Sequence, residues 1–162
     1  MKPVDQIYIG PGDLMVTDYP ALLNSTPLGS CIAVIAYLKS IHLGAMAHIM
    51  LPGKPLTANN NEDLRYAVPG IKAMFSKVFS ASGVKNKIPV AIIGGANVLK
   101  KDDDLLTPAI IESVIRCIRE HNGQIIYEDL GGTLRRSVIL NTQSGDLFVS
   151  VGNKHSKKVV SL

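Results

Sequence analysis

The longest uninterrupted apolar run in this 162-residue chain, Cys31 to Leu38, is far shorter than the roughly 20 residues that cross a bilayer as a helix. It is bounded by Gly29-Ser30 and Lys39-Ser40 and therefore reads as a strand. Further short β-branched or apolar segments predict strands at Ile7–Ile9, Ala45–Leu51, Ile88–Ile93, Gln124–Tyr127, Ser137–Leu140 and Leu147–Val151. The Asn-Thr-Gln-Ser-Gly-Asp segment between the last two is a hairpin signal. Helical periodicity occurs twice. Leu64, Val68, Ile71, Phe75, Val78 and Phe79 form one stripe, with Asn61 as cap and Gly83 as stop; Pro69 makes this helix either kink near Arg65 or start at Pro69. In the second, Thr107 caps, Pro108 fits the first turn, and Ile110, Ile111, Val114, Ile115 and Ile118 form the buried face before His121-Asn122-Gly123. Seven strands and two helices that do not alternate predict an α+β fold: mixed, largely antiparallel sheets layered with two main helices that cover one sheet face, in a single domain.

With 46% hydrophobic and 19% charged residues, such a chain can bury its own core without a disulfide or metal staple. Its two cysteines, Cys31 and Cys117, form no C-x-x-C pair and read as free thiols. The N-terminus shows no apolar signal region, so a cytoplasmic location is expected. The formal charge is +4, but Lys154, Lys157 and Lys158 supply three of these charges and leave +1 without them. Trp is absent, and no basic cluster with stacking aromatics marks a nucleic-acid surface. Residues 1–153 are expected to form the domain, and 154–162 a basic tail that is a solvated end. Pro52 to Asp63, with three successive asparagines, reads as a long exposed loop.

The chemistry concentrates at Cys31 and His48. Pro27 and Gly29 bend the chain just before Cys31, which places a thiol at a loop-to-strand edge where free backbone N–H groups can face an oxyanion. A hairpin centred between Lys39 and Ser40, with the longer of the two compatible loops, pairs Cys31 directly with His48 on one sheet face. An imidazolium there would lower the thiol pKa and give an activated nucleophile. Thr26, with Ser25 beside it, is the expected third member that orients the imidazole. A buried structural Cys and a satisfied core His are the competing reading. Cys117 lies on the apolar stripe of its helix and His121 at that helix's end, where the dipole favours positive charge. His42 falls in the hairpin turn and His155 in the tail. No zinc-ligand spacing occurs. Gly94-Gly95-Ala96-Asn97 lacks the phosphate-loop pattern and reads as a tight turn, and Glu128-Asp129-Leu130-Gly131-Gly132 likewise reads as a strand end with a structural glycine bend. Arg135 and Arg136 read as a solvated pair or a contact for an acidic partner.

Four segments, TPLGSCIAV (26–34), GAMAHIMLP (44–52), IIGGANVL (92–99) and EDLGGTLRRSV (128–138), together resemble the chemoreceptor glutamine deamidases, the CheD family, in order and along almost the whole chain. The resemblance implies a Cys-His-Thr hydrolase that converts chemotaxis receptor glutamines to glutamate and hydrolyses receptor glutamyl methyl esters. It implies Cys31 as nucleophile, His48 as general base and acid, Thr26 as orienting hydroxyl, and no cofactor. The implied partners are the receptor cytoplasmic domain and a CheC-type phosphatase. Two other functions fit the same residues: an adaptor that docks the phosphatase or receptor through the same pocket without turnover, and an unrelated cysteine hydrolase such as an esterase.

Overall fold

The computed structural model describes residues 3–57 and 63–162. Its elements run β1 (Asp5–Tyr8), β2 (Leu14–Thr17), β3 (Ala21–Leu28), β4 (Ile32–Leu38), β5 (Leu43–Ile49), α1 (Ala67–Ser82), β6 (Ile88–Gly94), α2 (Leu106–Glu120), β7 (Gly123–Leu130), β8 (Arg136–Asn141), β9 (Asp146–Val151) and β10 (Lys157–Ser161). The strands form two five-stranded sheets, in the orders β1-β3-β8-β9-β10 and β2-β5-β4-β6-β7. Pairs β1/β3 and β6/β7 are parallel and the others antiparallel. The fold is thus the expected single-domain α+β arrangement with mixed sheets.

Three layers result from the alternation of side chains along each strand. Ile32, Val34, Ala47, Ile49 and Ile92 point from the second sheet toward the helices, where they meet Ile71, Met74, Phe75, Val114 and Ile118. Ala33, Ile35, Met46, Ala91 and Ile93 point the other way, against Leu23, Val138, Leu140, Leu147 and Val149 of the first sheet. Strands β4, β5 and β6 are therefore buried on both faces, which is why Cys31–Leu38 has no polar alternation.

Local corrections have simple causes. Helix α1 begins at Ala67 without a kink, because Pro69 lies in the first turn, where backbone N–H groups have no intrahelical acceptor. Asn61, the expected cap, lies outside the described residues. Gly83 ends the helix with φ of 63° and its N–H on the Phe79 carbonyl. At α2 it is Asp104, not Thr107, that caps: its carboxylate accepts the Thr107 N–H at 3.1 Å. Strands β2, β3 and β10 were not expected. In β3 the polar stretch Asn24-Ser25-Thr26-Pro27 obscures the pattern, and the proline stands where the pairing with β8 shifts register. The basic tail is not a solvated end, because Lys157–Ser161 pairs with β9 and Lys158 bridges Asp146 at 2.9 Å.

Cys117 is 1% exposed on the inner side of α2. Cys117→Ala is expected to lower stability by about 1 kcal/mol, measured by denaturant unfolding, and to leave Cys31 chemistry unchanged.

Candidate active site

The innermost polar contact joins the two sheets. In β3, Ala21, Leu23 and Ser25 share the inward face while Thr26 turns to the other side. Ser25 is completely buried and His48, on β5, is 2% exposed. Ser25 Oγ lies 2.9 Å from His48 Nδ1 and donates to the Ile9 carbonyl at 2.8 Å. His48 Nδ1 is itself 3.0 Å from the same carbonyl. A carbonyl oxygen only accepts, so Nδ1 carries the proton and Nε2 is left with a lone pair. Nε2 is buried and has no hydrogen-bond partner among the described residues. The main chain of His48 is also clamped: its N–H donates to the Asp13 carbonyl at 3.2 Å, and its carbonyl accepts the Gly12 N–H at 3.0 Å.

Thr26 does not reach the imidazole. Its hydroxyl bonds to the Ser137 hydroxyl across the outer side of the first sheet. The hydroxyl that meets the imidazole is that of Ser25, and the period-two burial of Ala21, Leu23 and Ser25 is the signal that distinguishes the two. The Ile9 carbonyl could not be read from residue type, although the Gly-Pro-Gly-Asp turn that follows it marks a fixed backbone.

Cys31 sits just before β4, half-buried. The hairpin has a four-residue loop, Lys39–Ile41 in a 3₁₀ turn followed by His42 with φ of 51°, and it pairs Leu38 with Leu43. This loop is displaced by one residue from the expected centre, so His48 stands opposite Ala33 and not opposite Cys31. The shift of two residues keeps both side chains on one face, because strand alternation has period two. Cys31 and His48 are thus diagonal neighbours across the β4/β5 ladder, without a direct hydrogen bond. Burial pushes the Cys31 thiol pKa up, only partly opposed by its own backbone N–H against the sulfur. Burial likewise pushes the His48 pKa down, with the Ile9 carbonyl and Asp13 opposing. Both shifts favour the neutral forms. Burial thus works against the expected thiolate–imidazolium pair.

The bend before Cys31 is fixed by a second turn. The Gly29 carbonyl accepts the Ala96 N–H at 2.8 Å, and the Cys31 carbonyl accepts the Gly95 N–H at 2.9 Å. Apart from the contact of Cys31 N–H with its own sulfur, the Ser30 and Cys31 N–H groups have no partner among the described residues. A pocket of about 300 Å³, lined by Gly29, Ser30, Asn97, Leu99 and Thr107 among others, opens beside them. Leu99, Leu105 and Leu134 are exposed. Elsewhere, His42 Nδ1 meets the Tyr37 hydroxyl at 2.9 Å, and His121 Nδ1 donates to the Cys117 carbonyl at 2.8 Å. Arg136, expected as a solvated pair with Arg135, is 8% exposed and bonds to Asp129 at 2.8 Å. Among the described residues no three His, Cys, Asp or Glu side chains converge as metal ligands, and no helix is long and apolar enough to cross a membrane.

Comparison with known proteins adds independent findings. The profile of a family described as CheD chemotactic sensory transduction matches residues 50–151, a span that begins after Cys31 and His48. The chain is 33% identical over 142 residues, 88% of its length, to a protein named probable chemoreceptor glutamine deamidase CheD from Chlorobium luteolum, of which 71% is covered. A protein of the same name from Clostridium novyi is 32% identical over 145 residues, 87% of this chain and 90% of that one. Methanosarcina acetivorans has a relative with 24% identity over 88% of this chain and 90% of its own, named probable chemoreceptor glutamine deamidase CheD 1.

The raised thiol pKa has a direct consequence for reactivity. Alkylation of Cys31 in the free protein is expected to accelerate continuously with pH up to and beyond the ordinary thiol value of about 8.5. Mass spectrometry of the labelled peptide checks this; a rate that levels off below neutral pH would mean a preformed ion pair.

Proposed function

The chain belongs to the CheD family, and from that premise we propose that it is a protein-glutamine deamidase whose substrates are glutamine side chains of chemotaxis receptors. The observation that carries the reading is His48, held by Nδ1 in the base-competent tautomer, with Nε2 free on the face it shares with Cys31. An amide resists hydrolysis because nitrogen leaves poorly, so the reaction needs a strong nucleophile and a proton donor to the departing nitrogen. Cys31 and His48 supply one each.

As Cys31 Sγ attacks the amide carbon, its proton passes to His48 Nε2, and the carbonyl oxygen becomes an oxyanion facing the Ser30 and Cys31 N–H groups. His48 then gives that proton to the nitrogen, the carbon–nitrogen bond breaks, and ammonia leaves a thioester. Water attacks the thioester with its proton taken by Nε2; the carbon–sulfur bond breaks, and the sulfur recovers the proton as glutamate is released. Ser25 and the Ile9 carbonyl stabilise the imidazolium that forms in each half. The lowered His48 pKa keeps the base neutral, so the acid limb of kcat/KM falls below the ordinary histidine value of about 6.5. The same acyl chemistry hydrolyses a glutamyl methyl ester, with methanol as the leaving group.

The test is mass spectrometry of a chemoreceptor cytoplasmic fragment for amide-to-acid conversion. Cys31→Ala and His48→Ala are each expected to lower turnover by about a thousandfold or more, and the double variant to be little worse. Ser25→Ala is expected to lower kcat by about tenfold, the equivalent of one hydrogen bond. Thr26→Val should stay within about twofold of wild type, since its hydroxyl is outside the site. Deamidation by Cys31→Ala would remove the nucleophile assignment. A wild-type protein that binds the fragment without converting it would favour the adaptor, including docking of a CheC-type phosphatase.

A further inference from the structure

Three backbone turns are stacked at the end of the sandwich that carries Cys31. The first is Gly29–Cys31, and the second, Gly94–Asn97, donates the Ala96 and Gly95 N–H groups to it. The third, Gly131–Leu134, is tied to the second by the Gly131 N–H on the Gly94 carbonyl at 3.0 Å and by the Asn97 N–H on the Gly132 carbonyl at 2.9 Å. The first contact is very close: a Cβ on Gly94, whose φ is 127°, would lie 2.1 Å from the Cys31 carbonyl oxygen. The third turn is held from behind by Arg136. Its Nη1 donates to the carbonyls of Gly131 and Leu134, the latter at 3.0 Å, and its Nη2 to Asp129 Oδ1 at 2.8 Å. Arg136 opens β8 in the first sheet and Asp129 lies on β7 in the second, so the guanidinium also ties the two sheets at this end.

We propose that Arg136 is a positioning residue for the Cys31 loop, acting through the two glycine turns to fix the direction of the backbone N–H groups that receive the oxyanion. The geometry follows from peptide planarity. In a trans peptide the N–H points opposite to the carbonyl of the same unit, so the Ala96 N–H that pins the Gly29 carbonyl also aims the Ser30 N–H away from the turn stack. The Gly95 N–H pins the next fixed carbonyl, that of Cys31, and the Cys31 N–H lies between these two anchors. Arg136 touches no reacting atom. A planar guanidinium can serve two carbonyls and a carboxylate together, whereas a lysine ammonium lacks the fork that spans them. Only the last link, from N–H direction to oxyanion, rests on the deamidase reading.

The test compares full-length wild type, Arg136→Lys and Arg136→Met by three measurements. Amide hydrogen exchange at Gly95 and Ala96 is expected to be about tenfold faster in Arg136→Met, with exchange in α1 unchanged. The kcat for the receptor fragment is expected to fall by about tenfold or more with KM within about twofold, because only the transition state develops the oxyanion. Alkylation of Cys31 by iodoacetamide, a displacement that builds no oxyanion, should change by less than about twofold. Arg136→Lys should lie between the two. If Arg136→Met does not fold, Asp129→Asn, which keeps an acceptor and removes the charge, carries the same comparison. Unchanged exchange at Gly95 and Ala96 overturns the proposal whatever the activity. So does faster exchange with unchanged kcat, or alkylation that falls in step with kcat, which a general collapse of the site would produce. A wild type that performs no deamidation defeats the functional reading alone, and exchange still decides whether Arg136 holds the loop.

Discussion

The second sheet is covered by helices on one face and by the first sheet on the other, so a polar side chain on its inner strands has no water to turn to. Burial of a polar group is costly unless it finds a hydrogen bond. His48 lies between Ala47 and Ile49 in such a strand, and its partners come from the facing layer: the Ser25 hydroxyl and the Ile9 carbonyl. The two sheets are thereby locked in register at the same place where the imidazole is oriented. The same desolvation moves the Cys31 and His48 pKa values in opposite directions and in each case disfavours the charged form. Packing and protonation state have one cause.

Much of this was legible in the sequence where hydrophobic pattern alone decides structure. The apolar stripe of α2, the core strands β4, β5 and β6, and the placement of Cys31 and His48 on one face all follow from periodicity. The register did not, because Ser40-Ile41-His42 carries no preferred turn signal and the left-handed His42 displaces the loop. Parity survived the error because moving the loop by one residue shifts the pairing partner by two. Ser25 was obscured for a different reason: β3 is polar and contains a proline, so its phase could not be established and the choice between adjacent hydroxyls stayed open. Arg136 was illegible in a stronger sense. Its acceptors are main-chain carbonyls and a carboxylate from β7, and nothing in the residue types around Arg135-Arg136 announces which of the two turns inward.

The site is assembled from segments far apart in the chain. The Gly10–Asp13 turn, the end of β3, the start of β4, the end of β5, and the turns after β6 and β7 all contribute. Each turn lies at the same end of the sandwich, and the contacts among them are mostly backbone to backbone. This explains why glycine is needed at Gly94, where the close approach of the Cys31 carbonyl leaves no space for a side chain. Half-buried Cys31 at the mouth and buried His48 deeper inside give a gradient of exposure; in the proposed reaction the acyl group meets backbone donors at the surface and the proton moves toward the interior.

The oxygen that selects the histidine tautomer belongs to the main chain of Ile9. Every amino acid brings that same oxygen, so no codon change at position 9 can delete it; selection at that codon acts only on the fit of a buried apolar side chain. The genetic vulnerability is carried instead by the turn that aims the carbonyl. Gly12 adopts φ of 81°, and a methyl group there would come within 2.8 Å of Arg65 Cγ. Asp13 closes the turn by accepting the Gly10 N–H at 2.9 Å. Heritable loss of the tautomer lock should therefore map to glycine and aspartate codons whose side chains never touch the imidazole ring, and a screen confined to residues with side chains in the site would overlook them.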